Sequence, residues 1–392
     1  MKALNDNAHP LESLLQQHCP NGVEFKELGE LWEKAPKSKM GANQAKNLSK
    51  NNGNICFTSG ETHYFIDDYL VDGEFLFLND GGTADIKYNS GKAYYTDHIF
   101  AFTSQKICVK FLYYFLKDKQ EAINKTCFQG TGLKNLQKNK IEKFPIPLPP
   151  LEIQYKIVEI LDAFTELQAE LQAELEARLK QYHYYRNKLL SHDELENRTA
   201  KSRNDSDPTP IVPYVRLGEV CEILDNLRKP ITKSKRTQGI YPYYGANGIQ
   251  DYVNEYIFDG DFLLMGEDGS VINKDNSPVL NWVSGKFWVN NHAHILKEKS
   301  NTTNLRFVFF YLQTCDVSSI VRGVPPKINQ QNLKTIQIPL PPLAVQNEIV
   351  ELLDKFDTLT NDLTSGIPAE IEARKKQYEY YRERLLSFIA KD

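Results

Sequence analysis

The sequence predicts an α+β protein built twice. Two α/β-mixed globular domains are separated by two long antiparallel helices, a coiled coil, in an internal pseudo-two-fold repeat. Three observations predict this. A proline-rich block with a helical tail occurs twice, apolar residues recur at steps of three and four after each block, and the segments before the blocks are short, aromatic and β-branched.

The repeat comes first, because it sets the architecture. Ile146-Pro147-Leu148-Pro149-Pro150-Leu151 returns as Ile338-Pro339-Leu340-Pro341-Pro342-Leu343. Gln154, Ile157-Val158-Glu159, Leu161-Asp162 and Phe164 return as Gln346, Ile349-Val350-Glu351, Leu353-Asp354 and Phe356. Further on, Gln181-Tyr182-His183-Tyr184-Tyr185-Arg186 matches Gln377-Tyr378-Glu379-Tyr380-Tyr381-Arg382. A period of roughly 190 residues is too long for a solenoid and implies two copies of a domain-plus-arm unit.

Each arm reads as helix. Ile157, Leu161, Phe164, Leu167, Leu171, Leu175, Leu179, Tyr182, Tyr185 and Leu189 trace one apolar stripe. Pro149-Pro150 suits a helix start, where a missing N–H costs nothing. In the second arm a break is expected at Gly366-Ile367-Pro368, where Pro368 kinks or interrupts the helix. Two such stripes in one chain bury each other most simply as an antiparallel pair.

The globular parts read as strand-rich, with Gly and Asp/Asn punctuation around segments such as 252–258, 261–265 and 287–289. Residues 111–116 and 307–312 read as buried helices at matching places. The expected domains are 1–145 (with an N-terminal extension, 1–21), a central arm 146–191, a polar linker 192–212, a second globular domain 213–337 and a C-terminal arm 338–392.

The chain has 392 residues, 47 Lys+Arg against 51 Asp+Glu, and 41% hydrophobic residues, enough to fill real cores and exclude wholesale disorder. No apolar run is long enough for a membrane span, and the start is polar at once, so no membrane partner and no signal peptide are expected. The six cysteines include no C-x-x-C pair. This spacing argues against a zinc site or a disulfide framework, and a cytoplasmic location is expected.

An acidic total hides mirrored basic loops. Residues 34–60 carry Lys34, Lys37, Lys39, Lys46 and Lys50 without an acid, and 226–250 carry Arg228, Lys229, Lys233, Lys235 and Arg236 without one. A second acid-free pair contains Lys125, Lys134, Lys138 and Lys140 in one half, Arg322, Lys327 and Lys334 in the other. Each globular part is about +2 and the remainder about −8. Basic, Asn/Gln/Gly-rich loops flanked by aromatics suit phosphate contact and base-edge readout. His98 and His292 recur at one internal spacing and read as hydrogen-bonded structural residues, and Asp80-Gly81-Gly82 and Asp268-Gly269-Ser270 as tight turns.

No P-loop, H-E-x-x-H, G-x-S-x-G or amino-methyltransferase tetrapeptide occurs, which favours a binding protein over an enzyme, with no metal site. The doubled P-L-P-P-L-x-x-Q-x-x-I-V-E-x-L-D block with its Q-Y-x-Y-Y-R tail resembles the specificity subunit of type I DNA restriction–modification enzymes. The run Tyr241 to Ile249, Gly266-Glu267-Asp268-Gly269-Ser270 and Asn290-Asn291-His292 resemble a target-recognition domain of that family. The first half departs from it, with Thr58-Ser59-Gly60 and Thr96-Asp97-His98.

The resemblance implies a non-catalytic reader of double-stranded DNA. Each globular domain would recognise one half of a bipartite, asymmetric site, and the helices would set the spacing. Two methyltransferase (modification) subunits would dock on the helices and hold S-adenosylmethionine, which this chain itself would not bind. A motor-nuclease (restriction) subunit would join for cleavage. Lys34, Lys37, Lys39, Lys46, Lys134, Lys138, Lys233, Lys235, Arg236 and Lys327 are the candidates for phosphate contact, and Asn247, Asn290, His292 and Arg322 for base edges. The runner-up is a coiled-coil scaffold with two heads for ligands other than DNA.

Overall fold

The computed structural model describes residues 17, 19–132, 134–203, 212–299 and 301–390. The chain divides into two compact units, residues 1–171 with 371–392, and residues 172–370.

In the first unit, β1 (Asn54–Phe57), β2 (His63–Ile66), β3 (Glu74–Asn79), β4 (Ile86–Ser90), β5 (Ala93–Tyr95) and β6 (Ile99–Thr103) form two sheets. One has the order Glu33–Lys34, β6, β3, β4, all antiparallel. In the other, β1 pairs antiparallel with β2 and parallel with β5. The strands are short and dense in Phe, Tyr and Ile, and the inner residues Leu76, Phe77, Leu78 and Phe102 are buried. Helix α1 (Val109–Asp118) covers the first sheet with Phe111, Leu112, Phe115 and Leu116.

The arms follow. Helix α2 (Leu151–Leu189) runs 39 residues without interruption. That length spans about 60 Å at 1.5 Å per residue. Helix α3 (His192–Arg203) occupies the first part of the expected linker, and most of the remainder lies outside the described residues. A charged stretch with Glu194 paired to Arg198 one turn on supports itself as a helix.

The second unit repeats the first. Strands β7 (Gln238–Gly245), β8 (Gly248–Val253), β9 (Phe262–Gly266), β10 (Leu280–Val283), β11 (Lys286–Val289) and β12 (Ala293–Glu298) again make two sheets. One has the order Cys221–Ile223, β12, β9, β10, all antiparallel. In the other, β7 pairs antiparallel with β8 and parallel with β11. Helix α4 (Leu305–Leu312) is the counterpart of α1, capped by the Asn304 side chain on the N–H groups of Arg306 and Phe307.

The second arm is two helices, α5 (Leu343–Asn361) and α6 (Ile367–Leu385). The break expected at Gly366-Ile367-Pro368 begins a few residues earlier, after Asn361, and ends at Gly366. Pro368 lies in the first turn of α6, where its missing N–H has no intrahelical partner to lose. The turn itself is built by Asp362, which accepts from the Thr364 N–H at 2.7 Å and the Thr364 hydroxyl at 2.6 Å. Gly366 is required there, since a Cβ would lie 2.4 Å from the Thr358 carbonyl oxygen. In the first unit, Phe164 of α2 meets Tyr378 and Tyr381 of α6. In the second, Tyr182 and Tyr185 meet Phe356 of α5.

The doubled block is the joint between arm and globular part. Gln154 is buried; it donates to the Pro149 carbonyl at 2.7 Å and accepts the N–H of Cys108, at the head of α1, at 2.8 Å. Gln346 does the same with Pro341 and Asn304, at 2.8 Å each. Asp162 then accepts from Lys110 at 2.7 Å and the Tyr114 hydroxyl at 2.6 Å. Asp354 takes the Arg306 Nε at 2.7 Å. The repeated Gln and Asp thus satisfy helix-start donors and cations that would otherwise be buried alone. Burial and then the Asp162 carboxylate push the Tyr114 phenol up.

Candidate nucleic-acid interface

Each unit carries a cationic loop pinned from below by aromatic and apolar side chains. In the first unit, Met40 and Ala45 are buried with Cys56 and Ile66. The Tyr95 hydroxyl donates to the Pro36 carbonyl, and the Asp97 N–H donates to the Met40 carbonyl at 2.9 Å. Lys37, Lys39 and Lys46 are left exposed. In the second unit, Trp288 Nε1 donates to the Lys229 carbonyl at 2.6 Å, and the Tyr243 hydroxyl accepts the Ile231 N–H at 3.0 Å. Lys233 and Lys235 stand exposed on a 3-10 turn above them. Among the described residues, none of these five lysines has a carboxylate partner within ion-pair distance. Free ammonium groups on an ordered loop suit phosphate contact.

A second cationic segment closes on a turn in each unit. The Gly82 N–H donates to the Lys134 carbonyl at 2.7 Å, and the Gly269 N–H donates to the Pro326 carbonyl at 2.9 Å. Beside the turns, His98 Nδ1 lies 3.4 Å from Asp80, and His292 Nδ1 bonds Asp268. Both imidazoles are exposed, at 71% and 46%. The structure therefore assembles His98, Asp80 and Lys134, and again His292, Asp268 and Lys327, from segments far apart in sequence. The common spacing of the two histidines was the sequence signal for this grouping. His98 and Asp80 were not among the candidates for DNA contact.

Several candidates are otherwise engaged. Asn290 does not present a free edge, because it is 4% exposed. Its amide donates to Gln250 at 3.2 Å, and its oxygen accepts the His292 N–H at 2.8 Å. Arg236 is half-buried and lies 4.1 Å over the Tyr243 ring. It donates to the Ile231 carbonyl at 3.1 Å and to Asp251 at 3.3 Å. Lys34 pairs with Glu142 at 2.7 Å, and Lys327 with Glu267 at 3.1 Å. Lys138 is exposed, 5.7 Å above the Phe100 ring. Asn247 is exposed at the tip of the β7–β8 hairpin. Arg322 is exposed and donates only to the Val321 and Lys327 carbonyls among the described residues.

Asp225, Glu267 and His294 bring ligand-type atoms within 4.8 Å of one another. Their carboxylate oxygens already have partners within the protein. Arg228 bonds Glu267 and the Ala293 carbonyl (2.9 Å), Lys327 reaches Glu267, and His294 lies 2.7 Å from Asp225 and 2.8 Å from the Ile328 carbonyl. Burial alone would raise the Asp225 carboxyl, but the His294 hydrogen bond and the Arg228 charge outweigh it and hold it low. This is an ion-pair network that fixes the base of the cationic loop.

The family of the type I restriction modification DNA specificity domain matches the chain over residues 20–181 and again over residues 212–373. The chain belongs to that family. It carries two copies of the domain, and specificity subunits of this kind are recognition subunits without catalysis, working within type I restriction–modification complexes. A putative type I restriction enzyme specificity subunit of Haemophilus influenzae is 44% identical over 181 residues, covering 45% of this chain and 46% of that protein. A type I restriction enzyme specificity subunit of Escherichia coli is 32% identical over 311 residues, 72% of each chain. The crystal structure of an S subunit from M. genitalium shares the fold, with TM-score 0.66, 18% identity and 99% of both chains covered. Among the described residues, no helix is long and apolar enough to cross a membrane.

Proposed function

We propose that each globular part, residues 1–145 and 213–337, contacts one half of a bipartite, asymmetric duplex sequence, and that the arms fix the distance between the halves. Lys37, Lys39, Lys46, Lys134 and Lys138 contact phosphates at one half. Lys233 and Lys235 do so at the other, where Arg322 is a candidate for a base edge. Asn247 and His292 read base edges in the second half. The observation that carries this reading is the duplication of exposed, unpaired lysines on pinned loops at corresponding positions of two domains of one DNA-specificity family. The first domain has Thr58-Ser59-Gly60 and Thr96-Asp97 where the second has Tyr244-Gly245 and Asn290-Asn291, so the half-sites differ.

The same reading places two methyltransferase subunits on the arms, one per repeat. A motor-nuclease subunit joins them, and the whole complex works in the cytoplasm. Methylome sequencing of cells with and without this chain, in the presence of its methyltransferase, tests the proposal. Loss of one bipartite motif supports it, and an unchanged methylome rejects it.

A further inference from the structure

The two copies of the arm arginine differ in one partner. In the first unit, Arg382 Nε donates to Asp118 Oδ1 at 3.0 Å, at the end of α1. The counterpart of Arg382 is Arg186, and the counterpart of Asp118, counted along the matching helices α1 and α4, is Thr314. The carboxylate is thus missing from the second copy. Arg186 is only 9% exposed. One terminal nitrogen donates to Gln313 at 2.7 Å, but its Nε, the atom that Asp118 satisfies in the other copy, has no partner.

A cavity of about 460 Å³ lies beside it, wholly within the second unit, lined by Arg186, Ser191, His192, Tyr214, Tyr311 and Thr314. The Nδ1 atom of His192 is also buried without a partner, while its Nε2 faces Glu196 at 3.2 Å. Two of the three buried, unpartnered side-chain polar atoms among the described residues therefore belong to residues that line one cavity. Leaving a buried guanidinium donor unmet is costly, and the space exceeds the ~30 Å³ of one water many times over. Asp275 and Asp316 also line the cavity, but neither bonds Arg186 Nε. Asp275 is bound to Ser277 at 2.6 Å, and Asp316 accepts the Ser318 N–H at 2.9 Å.

We infer that this cavity is a carboxylate-binding site, in which an external carboxylate takes on Arg186 Nε the place that Asp118 holds on Arg382. The carboxylate belongs to a small acid or to an acidic side chain of a bound polypeptide, and the chemistry of recognition is the same.

The full chain tests this through Thr314→Asp, which supplies the missing carboxylate from within, and Arg186→Gln, which removes the donor. Sodium acetate and sodium glutamate should raise the melting temperature of the wild type above that in sodium chloride of equal ionic strength, and the ¹³C-carboxylate signal of labelled acetate should broaden. Both effects should vanish in each variant. Thr314→Asp should itself melt about 2–4 °C higher than wild type. If free carboxylates have no effect, the complex isolated from the protein's own cells decides between sources: loss of a subunit on Thr314→Asp assigns the carboxylate to a polypeptide. No carboxylate response, no stabilisation by Thr314→Asp and an intact complex together overturn the inference.

Discussion

Gln154 Oε1 accepts the backbone N–H of Cys108 at 2.8 Å, fastening the start of α1 to the start of the first arm. Gln346 and Asn304 repeat the arrangement at 2.8 Å. Leucine in place of either glutamine keeps the volume but strands a buried N–H and a proline carbonyl. Gln154→Leu and Gln346→Leu should each cost about 1–3 kcal/mol in urea unfolding of the corresponding unit.

Lys37, Lys39, Lys46, Lys233 and Lys235 make no ion pairs among the described residues, so neutralising them should leave the fold intact. Lys233→Gln with Lys235→Gln should weaken binding to target and unrelated duplexes by the same factor. The slope of log affinity against log salt should become shallower by about 0.9 for each phosphate that is no longer neutralised. Fluorescence anisotropy at several salt concentrations reads both quantities.

Asn290 and Asn247 should behave oppositely. Asn290→Ala removes the acceptor of the His292 N–H and the donor to Gln250 in a buried setting, and should destabilise the second unit by about 1–3 kcal/mol. Asn247→Ala, at an exposed hairpin tip, should change stability by no more than about 0.5 kcal/mol. It should instead relax base preference in one half-site, read by binding to a library of randomised duplexes.

The turn between α5 and α6 carries a pH signature. The Ser365 and Thr364 hydrogen bonds pull the Asp362 carboxyl from 3.8 to about 2. A carboxyl lowered by folding stabilises above its unfolded pKa and loses that contribution as pH falls through the folded value. Wild type should therefore be more stable than Asp362→Asn above pH ~4, and the gap should close as the pH approaches about 2. Paired denaturant titrations at stepped pH measure it.

The repeat, the unbroken α2 and the buried helices at 111–116 and 307–312 were all legible in the sequence, because periodicity and duplication are local signals. The place of the second-arm break was half legible. Pro368 announces a discontinuity, but it starts α6, and the turn is made by Asp362 and Gly366. The candidate site was less legible, because a lysine or arginine does not announce its partner. Arg236 and Lys34 read as free cations until the fold brings Asp251 and Glu142 to them. Asn290 reads as a polar edge until its burial is seen. The Arg382–Asp118 pair joins residues 264 positions apart, beyond any local pattern.

The central claim is that two domains of one chain read two separate halves of a DNA site. The most direct measurement replaces residues 213–337 with the corresponding segment of a relative of different specificity and sequences the methylome of cells that also carry the methyltransferase. A bipartite motif in which one half changes, while the other half and the spacing stay the same, is predicted. A continuous motif, or a change in both halves at once, would contradict the account.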